Sequence, residues 1–344
     1  MRQTMDITLF DFELPPSYIA QEPLKKRDDS KLMILNRKTG LVEHKKFFQI
    51  IDYLKPDDLL VLNDSKVVPV RLVGYKKKTG GKVEVLLIKS VSDYLWQVLL
   101  KPGRRTPPGT EIIFSSQLKG VVIGKDEKEG VYLLEIQVKG NFREILGKIG
   151  KMPTPPYIKK ELQNPSSYQT IYANQEGSLA APTAGIHFSK ELLTEIERKG
   201  IEIIYLTLHI GRGTFELVRD NQVENHQMKE EWYSISSENA RIINQAILDK
   251  RRIVGVGTSV TRTLESAFVQ DRVSEGTRWT NLFIYPGYQF QVLGALVTNF
   301  HLPRSTPLLL AAAFAGKDPL LKAYQEAIRR HYRFYSFGDA MFII

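Results

Sequence analysis

From residue 67 to residue 138 the chain alternates apolar and polar positions in six short runs: Val67–Tyr75, Lys82–Ser90, Tyr94–Lys101, Thr110–Phe114, Leu118–Lys125 and Val131–Val138. Gly80-Gly81, Pro102-Gly103, Pro107-Pro108-Gly109 and Glu129-Gly130 fall between runs. A period of two marks half-buried strands, and glycine or proline between them marks turns. No helical period interrupts the series, so this stretch predicts a small antiparallel β-barrel. Before it, Lys31–Leu35 and Leu59–Leu62 read as strands, Asn36–Gly40 as a turn, and Phe47–Leu54 has helical spacing. After it come a short helix over Phe142–Ile149 and the stiff connector Met152-Pro153-Thr154-Pro155-Pro156-Tyr157.

The rest of the chain alternates strand and helix patterns. Tyr168–Tyr172 has helical spacing. A helix is expected over 190–199, with Ser189 as N-cap and Gly200 as its stop, then a strand over Ile201–Ile210. Ser236 or Ser237 caps a helix running to about Lys250, and Arg252–Val256 is a strand followed by a helix over 262–269. Thr280–Tyr285 and Ala295–Thr298 read as strands, and 307–315 and 319–331 as helices. This order predicts an α/β fold: a mixed, mainly parallel sheet with flanking helices, plus a smaller inserted antiparallel β-barrel domain. Residues 1–65 and 151–344 form one discontinuous α/β domain, and 66–150 the insert.

Loops that follow strands at the carboxyl edge of such a sheet form its ligand site. Four stretches share one composition, mixing Gly or Pro with hydroxyls and a His or Arg: 181–188, 209–215, 257–262 and 299–306. They are expected to meet, with His187 and His301 on the same side of the domain. A fifth polar loop, Asn63-Asp64-Ser65-Lys66, follows a buried strand, where an Asx turn competes with a ligand role. Gly255-Val256-Gly257 is half of a dinucleotide fingerprint without its third glycine or its acidic partner, and no Walker lysine pattern occurs. An anion site at Thr258, Ser259, Thr261 and Arg262 fits the residues better. His187, His209, His226 and His301 lack ligand spacing, so acid–base work or structural hydrogen bonding suits them and no metal is expected. Arg212 and Arg304 suit phosphate or carboxylate binding, or surface ion pairs. Glu265 is expected in the first turn of its helix, where a dipole role competes with ligand binding.

Charge adds a partner. The 344 residues hold 48 Lys and Arg against 38 Asp and Glu, a net charge of +10 that favours a polyanion, nucleic acid first. Lys76-Lys77-Lys78, Lys101, Arg104 and Arg105 lie in the insert with Tyr75, Tyr94 and Trp96, a pairing that suits RNA contact as well as it suits a plain soluble surface. The chain contains no cysteine, which excludes disulfides and thiolate chemistry and fits a cytoplasmic setting. No signal peptide or membrane span is expected, and the residues alone describe a two-domain α/β enzyme with a polar pocket.

Five of these motifs resemble one family in the right order: Leu179–Phe188, Leu208–Phe215, Val256–Ser266, Leu296–Thr306 and Tyr335–Met341. With Asp11–Pro15 and Leu59–Leu72 they look like the S-adenosylmethionine:tRNA ribosyltransferase-isomerases of the queuosine pathway, nearly end to end. Arg212, in place of a small or apolar residue, and Thr258-Ser259, in place of Thr-Thr, are the departures. The resemblance implies transfer and isomerisation of the ribosyl group of S-adenosylmethionine onto 7-aminomethyl-7-deazaguanine at the wobble position of a tRNA with a GUN anticodon. Epoxyqueuosine-tRNA, adenine and methionine would result. S-adenosylmethionine would then be a consumed substrate, with no separate cofactor, and the protein a monomer. His187 or His301 is the expected base, with His209 nearby. Arg262 or Arg304 would hold the methionine carboxylate, and Thr183 and Asn299 the ribose or adenine. Gly185, Gly211, Gly213, Thr258, Glu265 and Asp64 complete the expected substrate-binding set.

Overall fold

The structure is a computed structural model that describes residues 4–215 and 217–344. The side chains of Thr214 and Phe215, part of the expected loop 209–215, lie outside the described residues. Two compact units emerge: Met1–Lys66 with Pro155–Ile344, and Val67–Thr154.

In chain order the strands are β1 (Lys31–Leu35), β2 (Val42–Lys46) and β3 (Leu59–Asn63), then β4 (Arg71–Lys76), β5 (Lys82–Ser90), β6 (Leu95–Lys101), β7 (Glu111–Ile113), β8 (Leu118–Asp126) and β9 (Val131–Val138). Strands β4 to β9 close into a barrel in the order β9-β6-β5-β4-β7-β8, every pairing antiparallel. Alternation explains it: Val83, Val85 and Leu87 of β5 are buried while their neighbours are not. Gly80, Gly109 and Gly130 take positive φ in the turns, as tight reversals require. Helix α1 (Phe142–Ile149) ends the unit, its amino end capped by Asn141.

The larger unit continues with α2 (Lys190–Arg198), β10 (Glu202–Leu208), β11 (Glu231–Ile235), α3 (Ser237–Leu248), β12 (Ile253–Val256), α4 (Thr258–Ala267), β13 (Gly276–Thr280), β14 (Ala295–Asn299), α5 (Thr306–Ala315), α6 (Lys317–Arg329) and β15 (Ala340–Ile343). Its nine strands run β13-β11-β10-β3-β12-β14-β15-β1-β2. The central block β10-β3-β12-β14 is parallel, and antiparallel pairings flank it. Burial on both faces is what makes β3 and β14 continuous apolar runs. Leu59 and Val61 of β3 enter one core with residues of α3, α4, α5 and α6, while Leu60 and Leu62 enter the other with Leu192, Leu193 and Ile196 of α2.

Some local expectations change. Helix α4 starts at Thr258, not at 262, so Glu265 lies in its later turns. Its hydroxyls, which argued for a loop, are satisfied within the helix: Thr261 Oγ1 and Thr263 Oγ1 donate to the carbonyls of Gly257 and Ser259. Thr183–His187 is a 3₁₀ turn inside the expected loop. Near Tyr168–Tyr172 the helical turn is Pro165–Tyr168, started by the Asn164 cap and Pro165. Residues 281–285 leave the sheet after β13, because Thr280 Oγ1 takes the Leu282 amide at 3.1 Å. No helix among the described residues is long and apolar enough to cross a membrane.

Asp58 fixes the start of β3. It accepts from Arg252 Nε at 2.9 Å and Nη2 at 2.5 Å, and caps the Lys55 amide at 2.7 Å. Asp58→Ala leaves a largely covered guanidinium without its carboxylate and should cost about 3 kcal/mol, read as a lower urea midpoint.

Candidate functional site

Because β3, β10, β12 and β14 are parallel, their carboxyl ends share one edge, and a cavity opens there. Its wall includes residues 180–184, Ile210, residues 257–259, Thr298, Asn299, His301, Leu302, Ser305 and Pro307, with Tyr157, Tyr335 and Ser336. All four expected loops therefore contribute. Of the expected site residues, Thr183, Thr258, Asn299 and His301 stand in the wall.

Asn299, at the end of β14, organises that wall. Its Oδ1 accepts from Thr183 Oγ1 at 2.8 Å, and its Nδ2 donates to His187 Nε2 at 3.1 Å and to the Tyr335 carbonyl at 3.3 Å. The amide orientation follows from the Tyr335 carbonyl, which can only accept. His187 Nε2 is then an acceptor, and Nδ1 carries the proton and donates to Ser30 Oγ at 2.8 Å. The ring stacks on Phe47 with centroids 4.9 Å apart. His187 thus stands behind the wall, with both nitrogens engaged. Burial, helped by Arg333 and Arg27, lowers its pKa to about 3.

His301 lines the cavity itself. Its Nε2 lies 2.7 Å from Thr298 Oγ1, and its amide donates to the Tyr324 hydroxyl at 3.0 Å. Burial lowers its pKa to about 3. Both imidazoles are neutral at physiological pH and keep a lone pair.

The remaining expected residues have other partners. Arg262 forms a buried ion pair with Glu231 and donates to the carbonyls of Leu282 and Thr280. Glu231 also takes the Gly211 amide at 2.8 Å, so the pair ties α4 to the loop after β10. Arg262 lines a second cavity that shares Ile210, Thr258, Ser259 and Pro307 with the first. Glu265 accepts from the amides of Gln291, Val292 and Leu293 and from the Tyr288 hydroxyl, which fixes the turn before β14. His209 stacks on Trp232 at 4.5 Å, closes against Gly177, and has its pKa lowered by burial. Asp64 accepts from Thr207 Oγ1 at 2.6 Å, and burial pushes its carboxyl above the usual range. Gly185 leaves room for the Tyr172 hydroxyl and Gly213 for Lys229. Arg304 pairs with Asp11 at the surface.

The expected site residues do not include Asn63, Tyr157, Tyr335 or Ser336, although Asn63 opens the fifth polar loop and Tyr335 and Ser336 open the last family motif. Asn63 is fully buried; its amide brackets the backbone of Leu208 and donates to Ser259 Oγ at 3.1 Å. An Asn closing an apolar strand was its signal. Tyr157 sat in a stretch read as a connector, and its place in the wall has no local sequence signal.

The profile of a family described as queuosine biosynthesis protein matches residues 7–343. The chain is 48% identical over 337 residues to an S-adenosylmethionine:tRNA ribosyltransferase-isomerase of Thermoanaerobacter sp. (strain X514), covering 97% of this chain and 98% of that one. It is 49% identical over 343 residues to the protein of that name from Halothermothrix orenii, covering 99% and 100%. Among solved structures it resembles an S-adenosylmethionine tRNA ribosyltransferase from Thermotoga maritima, with 39% identity, a TM-score of 0.57, and coverage of 98% of this chain and 100% of that one.

The buried histidines set a pH dependence of stability. In the folded chain His187 and His301 take protons only near pH 3, against a usual value of 6.5 in the unfolded chain. Between those limits the unfolded state binds more protons, so stability falls as pH drops below 6.5, by about 1.4 kcal/mol per pH unit for each ring. Urea unfolding between pH 7 and pH 5 should show this slope, and His301→Gln should reduce it.

Proposed function

We infer the reaction from the chain's family and its cavity: the chain belongs to the queuosine biosynthesis protein family. It transfers and isomerises the ribosyl group of S-adenosylmethionine onto 7-aminomethyl-7-deazaguanine at the wobble position of tRNA. The products are epoxyqueuosine-tRNA, adenine and methionine. S-adenosylmethionine is consumed as a substrate and does not serve as a methyl donor.

The observation that carries the site is the convergence of Thr183, Thr258, Asn299 and His301 on one cavity at the carboxyl edge of the parallel block. The sulfonium acidifies the ribose C5′–H, and a base must take that proton. His301 is the wall residue suited to the task. With Thr298 Oγ1 accepting from Nε2–H, the Nδ1 lone pair is left for C5′. Burial keeps the resting ring neutral with that lone pair free, at the cost of basicity, and the imidazolium once formed gives its proton up readily. Adenine is the acceptor: it leaves with the electron pair of its glycosidic bond and a proton. The aminomethyl nitrogen forms the new C–N bond and sheds its proton. Methionine departs with the electrons of the C–S bond, which neutralises the sulfonium. His187 acts as a positioning residue, holding Asn299 and through it Thr183. With their protons committed to one another and to the scaffold, these two are left to accept hydrogen bonds, through Thr183 Oγ1 and the second lone pair of Asn299 Oδ1, from the ribose or adenine. Arg262 is engaged by Glu231 and serves as structure.

The tRNA carries a GUN anticodon and its backbone meets basic side chains, including those of the barrel; the protein acts as a cytoplasmic monomer. A phosphate-dominated interface gives a steep fall of tRNA affinity with salt.

Incubation with S-adenosylmethionine and tRNA bearing the aminomethyl base should release adenine and methionine. S-adenosylhomocysteine as the product would mean methyl transfer instead and end this reading. His301→Gln should slow adenine release by about a hundredfold or more with tRNA affinity kept. His187→Gln should lower stability and raise KM, with a smaller loss in kcat. Equal rates in wild type and His301→Gln would remove His301 as the base.

A further inference from the structure

Tyr335 is the wall residue whose conformation the fold alone leaves unexplained. Its φ is +74°, in the left-handed region that a tyrosine rarely adopts. Three hydrogen bonds hold the strained backbone in place: its amide donates to the Phe300 carbonyl at 2.9 Å, and its carbonyl accepts from Gly338 N at 2.8 Å and Asn299 Nδ2 at 3.3 Å. The side chain so presented is almost fully covered, lines the cavity, and has a hydroxyl with no hydrogen-bond partner among the described residues. Its ring packs on that of Tyr157, with centroids 4.4 Å apart, and Tyr157 in turn bonds Ser336 Oγ at 2.8 Å. Among the described residues, Tyr157 and Tyr335 supply the phenol rings of the cavity wall.

Enforced strain at a residue that lines a cavity, together with a buried hydroxyl left unsatisfied on the same side chain, points to a role beyond packing. We propose that Tyr335 is a substrate-contacting residue: its hydroxyl donates a hydrogen bond to bound S-adenosylmethionine, and its ring, backed by Tyr157, faces the sulfonium. An electron-rich face attracts a fixed cation without a negative charge that would pair with it permanently. A phenol held neutral donates at any working pH. The proposal rests on the reading that this cavity takes S-adenosylmethionine.

Two substitutions separate the roles of hydroxyl and ring. Tyr335→Phe keeps the ring, and kcat/KM for S-adenosylmethionine should fall about tenfold. Its Tm should stay level or rise, because a buried hydroxyl without a partner is gone. Tyr335→Leu removes the ring. In direct titration it should lose the preference for S-adenosylmethionine over the uncharged thioether S-adenosylhomocysteine, which Tyr335→Phe keeps. An unchanged kcat/KM in Tyr335→Phe would overturn the proposal, since the hydroxyl would touch nothing. A Tm lower by several degrees in that variant would also overturn it, since the hydroxyl would be structural. A wild-type protein that neither binds S-adenosylmethionine nor releases adenine would instead refute the reading of the cavity itself, and this proposal with it.

Discussion

The amide of Asn299 is the fixture on which the cavity depends. It sits at the carboxyl end of β14, and its bonds reach three residues on two separate segments: Thr183 and His187 in the turn before α2, and the Tyr335 backbone before β15. Covalent continuity alone would leave these segments free to drift. A buried amide satisfies its hydrogen-bonding capacity in only one arrangement of its neighbours, so the wall is specified along with the sheet. Asn63 does the same at the end of β3, where it joins the last residue of β10 to the start of α4.

Among the described residues, charge is kept out of the wall around that fixture. Arg262 is neutralised by Glu231, Glu265 is wrapped by three backbone amides, and Arg304 is drawn outward to Asp11. These residue types invite a ligand-binding reading, yet each completes a local joint in the scaffold. The uncharged groups Thr183, Thr258, Asn299, His301 and Tyr335 stand in the wall. A substrate that carries its own sulfonium charge benefits from such a lining, because no fixed cation repels it and no carboxylate holds it in one salt-bridged pose.

Architecture was legible because it rests on period and punctuation. The six alternating runs with glycine turns became the six barrel strands, and the apolar runs at β3, β12 and β14 became the parallel block. Boundaries failed where tertiary contacts overrode local preference, as at α4, whose threonines turn back onto their own helix. The loops that meet were also legible, since composition marks a polar edge. What each side chain does there was not. Whether an arginine faces a cavity or a glutamate depends on partners such as Glu231, which lies 31 residues away, and no local pattern records that pairing. Tyr335 shows the same limit, since its importance lies in a backbone angle and an unfilled bond.

The low basicity of the two buried rings has a consequence for ligand exchange. A site whose imidazoles stay uncharged through the neutral range takes up no proton and gives none off when a cation enters, so binding and acidity are thermodynamically uncoupled there. The cell's pH can therefore change the stability of the fold through these two rings while they add nothing to any pH dependence of occupancy in the neutral range. Recognition of the nucleoside is thereby insulated from the proton traffic that its own conversion sets in motion.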